Sequence, residues 1–210
     1  FIYLSTVHIY NSPLVGDIDE NTLPTNLHPY ATSKLAGETV VLNAKQMEKI
    51  NGIVLRLSNG SGHPIFHETK CWHLVLNDLC RQAIEKKELC LHSEKSIERN
   101  FVSIIDICFG IEHFLQLSEK FLEASPFNLC SERSYSLEQL SNLIAKRCKV
   151  VLGYDLQIFS KSLEMKNINN NGLRLLTKKS KKTGLTLPQN LVQEIDNTLL
   201  FCDSHFSADS

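Results

Sequence analysis

The chain has 210 residues, with 22 Lys and Arg against 23 Asp and Glu, a formal net charge of −1, and 42% hydrophobic residues. This balance excludes a disordered or fibrous chain and argues against a dedicated nucleic-acid binder, which would carry a basic excess. No stretch approaches the roughly 18 uncharged apolar residues of a membrane span. The nearest, Phe101 to Leu117, is broken by Asp106, Glu112 and His113.

The chain opens on Phe1-Ile2-Tyr3-Leu4, an apolar run of strand formers with no initiator Met. Such a run predicts a buried strand and the expectation that 210 residues are most of a domain rather than all of it. Phe1 to Tyr10 reads as this strand leading into a loop. Asn11 to Pro29 is rich in Pro, Asn, Asp and Gly and reads as a long loop, the kind of segment that often carries function. Tyr30 to Ile50 reads as a helix, with Ala36, Val40, Ala44 and Met47 at helical spacing and Asn51-Gly52 as its stop. Ile53 to Leu57 is a second buried strand, ending in the Gly-rich turn Ser58 to Pro64. Trp72 to Lys87 predicts an amphipathic helix, and Glu88 to His92 a short strand. Arg99 to Ile104 follows as a strand, Asp106 to Leu117 as a helix and Phe127 to Leu129 as a short strand. Ser136 to Cys148 reads as a helix, with Ser136 and Gln139 spaced as a capping box. The pattern is weaker from Leu156 onward. Strands alternating with helices predict an α/β fold with a parallel sheet.

The seven cysteines are widely spaced, odd in number and form no CxxC. That pattern predicts reduced, mostly buried thiols in a cytoplasmic protein rather than a disulfide framework. No basic segment followed by an apolar one marks a signal peptide.

Three short elements carry candidate chemistry: Ser5-Thr6 at the end of the first strand, Tyr30-Ala31-Thr32-Ser33-Lys34, and Arg56-Leu57-Ser58-Asn59 ending the second strand. Tyr30 and Lys34 are four apart and share a helix face. A phenol is a poor base at neutral pH, and a neighbouring ammonium favours its ionised form. A hydroxyl such as Thr6, at a strand's C-terminal end, sits where open α/β sheets place ligands. Together they make a proton-transfer device suited to alcohol oxidation. Tyr-x-x-x-Lys by itself is weak, since a half-buried Tyr at a helix start and a solvated Lys are common. His63, His67, Cys71 and His73 are ligand types within eleven positions but match no zinc template, so they predict a polar loop and no metal site. Lys178 to Lys182 reads as a solvated helix start.

The order of these elements resembles the extended short-chain dehydrogenase/reductases, in the NAD-dependent nucleotide-sugar epimerase/dehydratase branch. Phe1 to Tyr10 is similar to that family's strand ending in Ser-Ser/Thr before Val-Tyr-Gly. His28 to Glu38 is similar to its Pro-Tyr-x-x-Ser-Lys-x-x-x-Glu. Leu55 to Pro64, Arg99 to Asp106, Phe127 to Leu129 and Gly184 to Pro188 resemble further family segments in the same order. The resemblance implies the C-terminal part of a Rossmann-like parallel sheet with a smaller interwoven α/β substrate-binding domain. Residues 1–66 would be the remainder of the NAD-binding domain, 67–98 a substrate-domain segment, 99–124 a return to the Rossmann-like domain and 125–210 the substrate-binding domain. It implies Tyr30 as catalytic acid/base, Lys34 holding the nicotinamide ribose, Thr6 on the reacting sugar hydroxyl and Ser5 beside the cofactor. It further implies Asn59 on the nucleotide-sugar and Arg99 on its diphosphate, a role suited to a guanidinium fork. The implied cofactor is NAD, with NADP as the alternative, and the implied partners are a nucleotide-sugar and, through helix 30–50, a second copy of the chain.

Several departures sharpen this expectation. Asn11 stands where the family's turn has Gly, and Ser103 where it often has His. The sugar 4,6-dehydratases place Asp-Glu directly after the catalytic Thr, whereas Val7-His8 follow Thr6 here. That argues for an epimerase, with a reductase or dehydrogenase, or an inactive remnant, as alternatives. No GxGxxG or GxxGxxG occurs in the chain, so the glycine-rich pyrophosphate loop of the family is absent from these residues.

Overall fold

The computed structural model describes residues 1–91, 97–118, 123–160 and 172–207. The chain forms strand β1 (Ile2–Thr6), a 3-10 turn (Val7–Ile9), β2 (Asp17–Ile18), helix α1 (Pro29–Gln46), β3 (Ile53–Leu57) and β4 (Asn59–Ser61). It continues with α2 (Val75–Glu85), β5 (Glu88–Leu91), β6 (Glu98–Ser103), α3 (Ile104–Gln116) and β7 (Phe127–Leu129). Then come β8 (Ser134–Ser136), α4 (Leu137–Leu152), β9 (Gln157–Ser160), β10 (Arg174–Leu175), α5 (Lys178–Lys182) and α6 (Leu191–Phe206). The expected α/β class with parallel pairing is present. His92, placed at the end of an expected strand, lies outside the described residues.

The chain divides into two compact units. The first comprises Phe1–Gly60, Asn100–Ser134 and Asn171–Gln189, and the second Ser61–Arg99, Tyr135–Asn170 and Asn190–Ser210. The divisions read from the sequence fall at other places, and residues 172–189 group with the first unit rather than with the C-terminal segment.

The first unit is built on a parallel sheet in the order β1-β3-β7. Ile2 pairs with Ile53 and Thr6 with Leu57, while Leu55 pairs with Phe127. Parallel strands covered on both faces read as continuous apolar runs, and Ile53-Val54-Leu55 is buried throughout. Ile53, Leu55, Phe114, Phe127, Leu129 and Leu185 form one core cluster. A second cluster under the long loop gathers Val7, Ile9, Tyr10, Leu14, Ile18, Leu173 and Leu175, beside the short β2-β10 pair. Gly110 of α3 faces Leu129, and a methyl group there would lie 2.6 Å from Leu129 Cδ1, so glycine sets how closely α3 approaches β7.

The second unit packs α2, α4 and α6 together, with β5 and β9 paired in parallel. Leu140, Ile144, Ile195, Leu199, Cys80, Cys148 and Cys202 are fully buried there. Arg147 makes a bidentate ion pair with Asp196, both bonds 2.7 Å, linking α4 to α6. Helix α4 starts on the expected capping box, Ser136 with Gln139, and ends at Gly153 in the left-handed region at φ 83°.

Several boundaries differ from the sequence reading. Helix α1 ends at Gln46, four residues before the expected stop, because Glu48 turns to φ 56°. Helix α2 begins at Val75 rather than Trp72, whose indole N–H is spent on the His67 carbonyl at 2.8 Å. The Gly-rich turn contains β4, and α6 was not foreseen although Leu191, Ile195, Leu199 and Cys202 carry its buried stripe. The Ser103 departure has a local role: its hydroxyl caps α3 by accepting from the Asp106 N–H at 2.9 Å. All seven cysteines are free thiols. No helix among the described residues is long and apolar enough to cross a membrane.

One charge interrupts the apolar β3. Arg56 is 5% exposed, and Glu38 of α1, 1% exposed, answers it. Removing one partner of a buried pair strands the other charge and costs about 3–5 kcal/mol. Glu38→Ala is therefore expected to lower the unfolding free energy by about that amount in denaturant titration; a loss typical of a surface pair, under about 1 kcal/mol, would contradict the buried assignment.

Candidate active site

Strand β1 delivers Ser5 and Thr6 to its C-terminal end, and the chain then tightens into the 3-10 turn. The Thr6 hydroxyl oxygen accepts the His8 backbone N–H at 3.2 Å. With the oxygen so occupied, the Thr6 hydroxyl hydrogen is the part left to donate. The Ser5 hydroxyl is buried and makes no hydrogen bond among the described residues, an arrangement that costs free energy unless a ligand completes it.

Helix α1 begins where His28 Nδ1 accepts the Tyr30 N–H at 3.2 Å, with Pro29 in the first turn. This start leaves Tyr30 half-exposed. One turn later Lys34 Nζ donates to the Leu4 carbonyl oxygen at 3.0 Å. The same nitrogen lies 5.9 Å from the Tyr30 ring centroid and 5.4 Å from that of Tyr3. Lys34 therefore ties the Tyr30 turn of the helix to the strand two residues before Thr6. Gly37 completes the contact, since a methyl group at that position would run into the Tyr3 phenol. The structure thus fastens the Tyr30–Lys34 turn of α1 to β1 at Tyr3 and Leu4, with Ser5 and Thr6 the next residues of that strand.

Asn59 follows β3. Its Oδ1 meets His8 Nε2 at 3.1 Å and its Nδ2 donates to the Asn100 carbonyl at 2.8 Å. Asn100 is itself fixed, donating to the Ser131 and Arg133 carbonyls and accepting the Ser131 N–H. Arg99 belongs to the other unit. Burial lowers its pKa.

Beneath the site runs a polar network that the sequence reading did not contain. Arg56 Nε and Nη2 donate to the Glu38 carboxylate at 3.0 and 2.7 Å, and Nη1 donates to the Tyr10 hydroxyl at 2.9 Å. Tyr10 passes its own hydrogen to Asn128 Oδ1 at 2.8 Å, and the Asn128 N–H donates to Glu20 at 2.9 Å. A signal was present: an arginine inside an apolar strand has to find a buried acceptor, and Glu38 lies one turn beyond Lys34. His63, His67, Cys71 and His73 spread through the second unit. His63 pairs with Glu194 at 3.4 Å, and the His67 ring lies 5.3 Å from that of His205. Among the described residues no group of three or more His, Cys, Asp or Glu could hold a metal ion.

Residues 1–130 match the family described as the NAD dependent epimerase/dehydratase family. The chain belongs to this family. A human relative, dTDP-D-glucose 4,6-dehydratase, is 26% identical over 149 residues, which are 71% of this chain and 40% of that protein. Among solved structures, RMD from Pseudomonas aeruginosa complexed with NADPH superposes with a TM-score of 0.78 at 21% identity, covering 97% of this chain and 65% of that one. UDP-glucuronic acid 4-epimerase from Bacillus cereus in complex with NAD gives 0.77 at 18% identity, covering 99% and 62%. The chain therefore spans less than two-thirds of the length of these proteins and shares their fold.

Burial pushes the Tyr10 phenol up to about 12, against the opposing effect of Arg56. The folded state then holds its proton after an unfolded phenol, near 10, has lost it. Stability from this group is complete below about pH 10 and declines as the pH climbs toward about 12. Urea titrations across that window are expected to show a steeper alkaline decline for the wild type than for Tyr10→Phe; parallel curves would contradict the buried phenol.

Proposed function

We propose that these residues form the proton-transfer centre of an NAD-dependent nucleotide-sugar epimerase. The observation that carries this reading is Lys34 Nζ, held on the carbonyl of Leu4, two residues before Thr6 on the same strand, and 5.9 Å from the Tyr30 ring centroid. Tyr30 Oη takes the hydrogen of a sugar hydroxyl while Thr6 donates a hydrogen bond to the same oxygen. The Lys34 ammonium stabilises negative charge on the phenolic oxygen from a fixed position.

The residues present fit the nicotinamide–ribose end of a dinucleotide. Among the described residues the Ser5 hydroxyl is a buried donor without a partner, and Lys34 uses one of its three N–H donors on the Leu4 carbonyl. A bound nicotinamide dinucleotide would supply the hydride exchange at the sugar carbon. NAD is the proposed cofactor, with NADP as its alternative. Asn59 is assigned to the nucleotide-sugar. Arg99, partly desolvated, suits a diphosphate.

Epimerisation is favoured over 4,6-dehydration because the residues after Thr6 are Val7 and His8. Neither offers the carboxylate that elimination would use. The curated relatives at 26% identity are named dehydratases, so product analysis has to separate the two outcomes.

Tyr30→Phe in the full-length protein is expected to reduce nucleotide-sugar turnover by about 10²–10⁴-fold, with circular dichroism unchanged. Turnover close to wild type would remove Tyr30 from the mechanism.

A further inference from the structure

His8 is the one residue of the run Ser5 to Tyr10 that is not buried. Three of its polar groups are nevertheless fixed. Its N–H is held by the Thr6 hydroxyl at 3.2 Å, and its carbonyl accepts Asn26 Nδ2 at 2.7 Å. Its ring Nε2 lies 3.1 Å from Asn59 Oδ1. The Asn59 carboxamide is oriented independently, because its Nδ2 donates to the Asn100 carbonyl at 2.8 Å. Asn59 therefore presents an oxygen to the imidazole, and His8 Nε2 must be the protonated, donating nitrogen. In the neutral ring that leaves Nδ1 as a bare acceptor. Nδ1 has no partner among the described residues.

This one side chain touches both residues assigned to the sugar. It holds the Thr6 oxygen through its backbone and the Asn59 amide through its ring. A group pinned on three sides, partly exposed, with its fourth polar atom unused, is preorganised to meet something outside the protein. We propose that His8 is a specificity-determining residue of the sugar site, with Nδ1 accepting a hydrogen bond from a sugar hydroxyl near the one held by Thr6. The inference rests on the functional reading above and deepens it: the preferred substrate carries a free hydroxyl, a donor, at the position facing His8. A deoxy or ketone position there would leave Nδ1 unsatisfied.

Two substitutions separate this role from a structural one. In His8→Gln the side-chain amide nitrogen takes the place of Nε2 and keeps the bond to Asn59, but nothing replaces Nδ1. In His8→Asn the side-chain oxygen takes the place of Nδ1, and the bond to Asn59 is lost. Calorimetry on the full-length protein, loaded with NAD and titrated with UDP-glucose and UDP-glucuronic acid, reads the difference. The expected result is weaker binding by about tenfold for His8→Gln, the size of one lost hydrogen bond, with His8→Asn binding more tightly than His8→Gln. UDP alone is expected to bind all three proteins equally. If His8→Gln matches wild type, or if His8→Asn is the weaker of the two, His8 only supports Asn59 and the proposal is overturned. A wild type that binds neither nucleotide-sugar nor UDP would instead overturn the functional reading itself. A second readout is the ring nitrogen spectrum of labelled His8: the Nδ1 resonance is expected to move on adding the bound nucleotide-sugar and to stay in place with UDP. An unmoved resonance under saturating nucleotide-sugar would also contradict the contact.

Discussion

A guanidinium in the middle of a buried parallel strand dictates much of the first unit. Arg56 cannot be left unpaired there, because a desolvated charge is far costlier than any gain from the surrounding apolar contacts. Its fork takes the Glu38 carboxylate in two bonds, and its remaining edge takes the Tyr10 hydroxyl. Glu38 is on α1, Arg56 on β3, and Tyr10 follows the turn after β1. A single ion pair thus fixes the rotation of α1 about its axis against the sheet. Lys34 lies one helical turn from Glu38 and Tyr30 one turn further, so the same rotation directs Lys34 to the Leu4 carbonyl and sets Tyr30 beside it. Bidentate geometry suits this purpose, because it restricts angle as well as distance.

The site then follows from the parallel sheet. Strands β1 and β3 run in the same direction and end together, so Thr6 and Asn59 emerge on one rim. Main-chain turns take over where the strands stop. The 3-10 turn after Thr6 directs the His8 N–H back to the Thr6 oxygen and the imidazole across to Asn59. The Thr6, His8 and Asn59 groups of this rim are aligned by bonds to one another, the kind of preorganisation that the proposed reaction would draw on.

Much of this was legible in the residues. Ile53-Val54-Leu55 and Phe127-Asn128-Leu129 read as buried strands because a two-sided parallel strand is apolar at nearly every position. Ser136 and Gln139 announced α4 by their spacing, and Tyr30 to Lys34 placed two functional groups on one helix face. What was not legible depended on tertiary partners. Nothing local in Trp72 says that its indole is engaged with His67, which delays α2. Helix α6 was obscured because two polar residues, Glu194 and Thr198, lie within its buried stripe. The contact of the His8 ring nitrogen with Asn59, 51 positions away, leaves no local trace in the sequence. Arg56 stands out as a charge in an apolar strand, but its role as the anchor of α1 depends on Glu38 facing it across the fold.

The central claim is that Thr6, Tyr30 and Lys34 support a reversible oxidation at a sugar carbon. The most direct test is rapid mixing of the full-length protein, saturated with NAD, with a nucleotide-sugar substrate, while the absorbance of reduced nicotinamide is followed. The account predicts a rise as the keto-sugar forms and a return to the starting value as the epimer is released, with no net consumption of NAD. A nucleotide-sugar converted to product with no reduced nicotinamide at any time would contradict it.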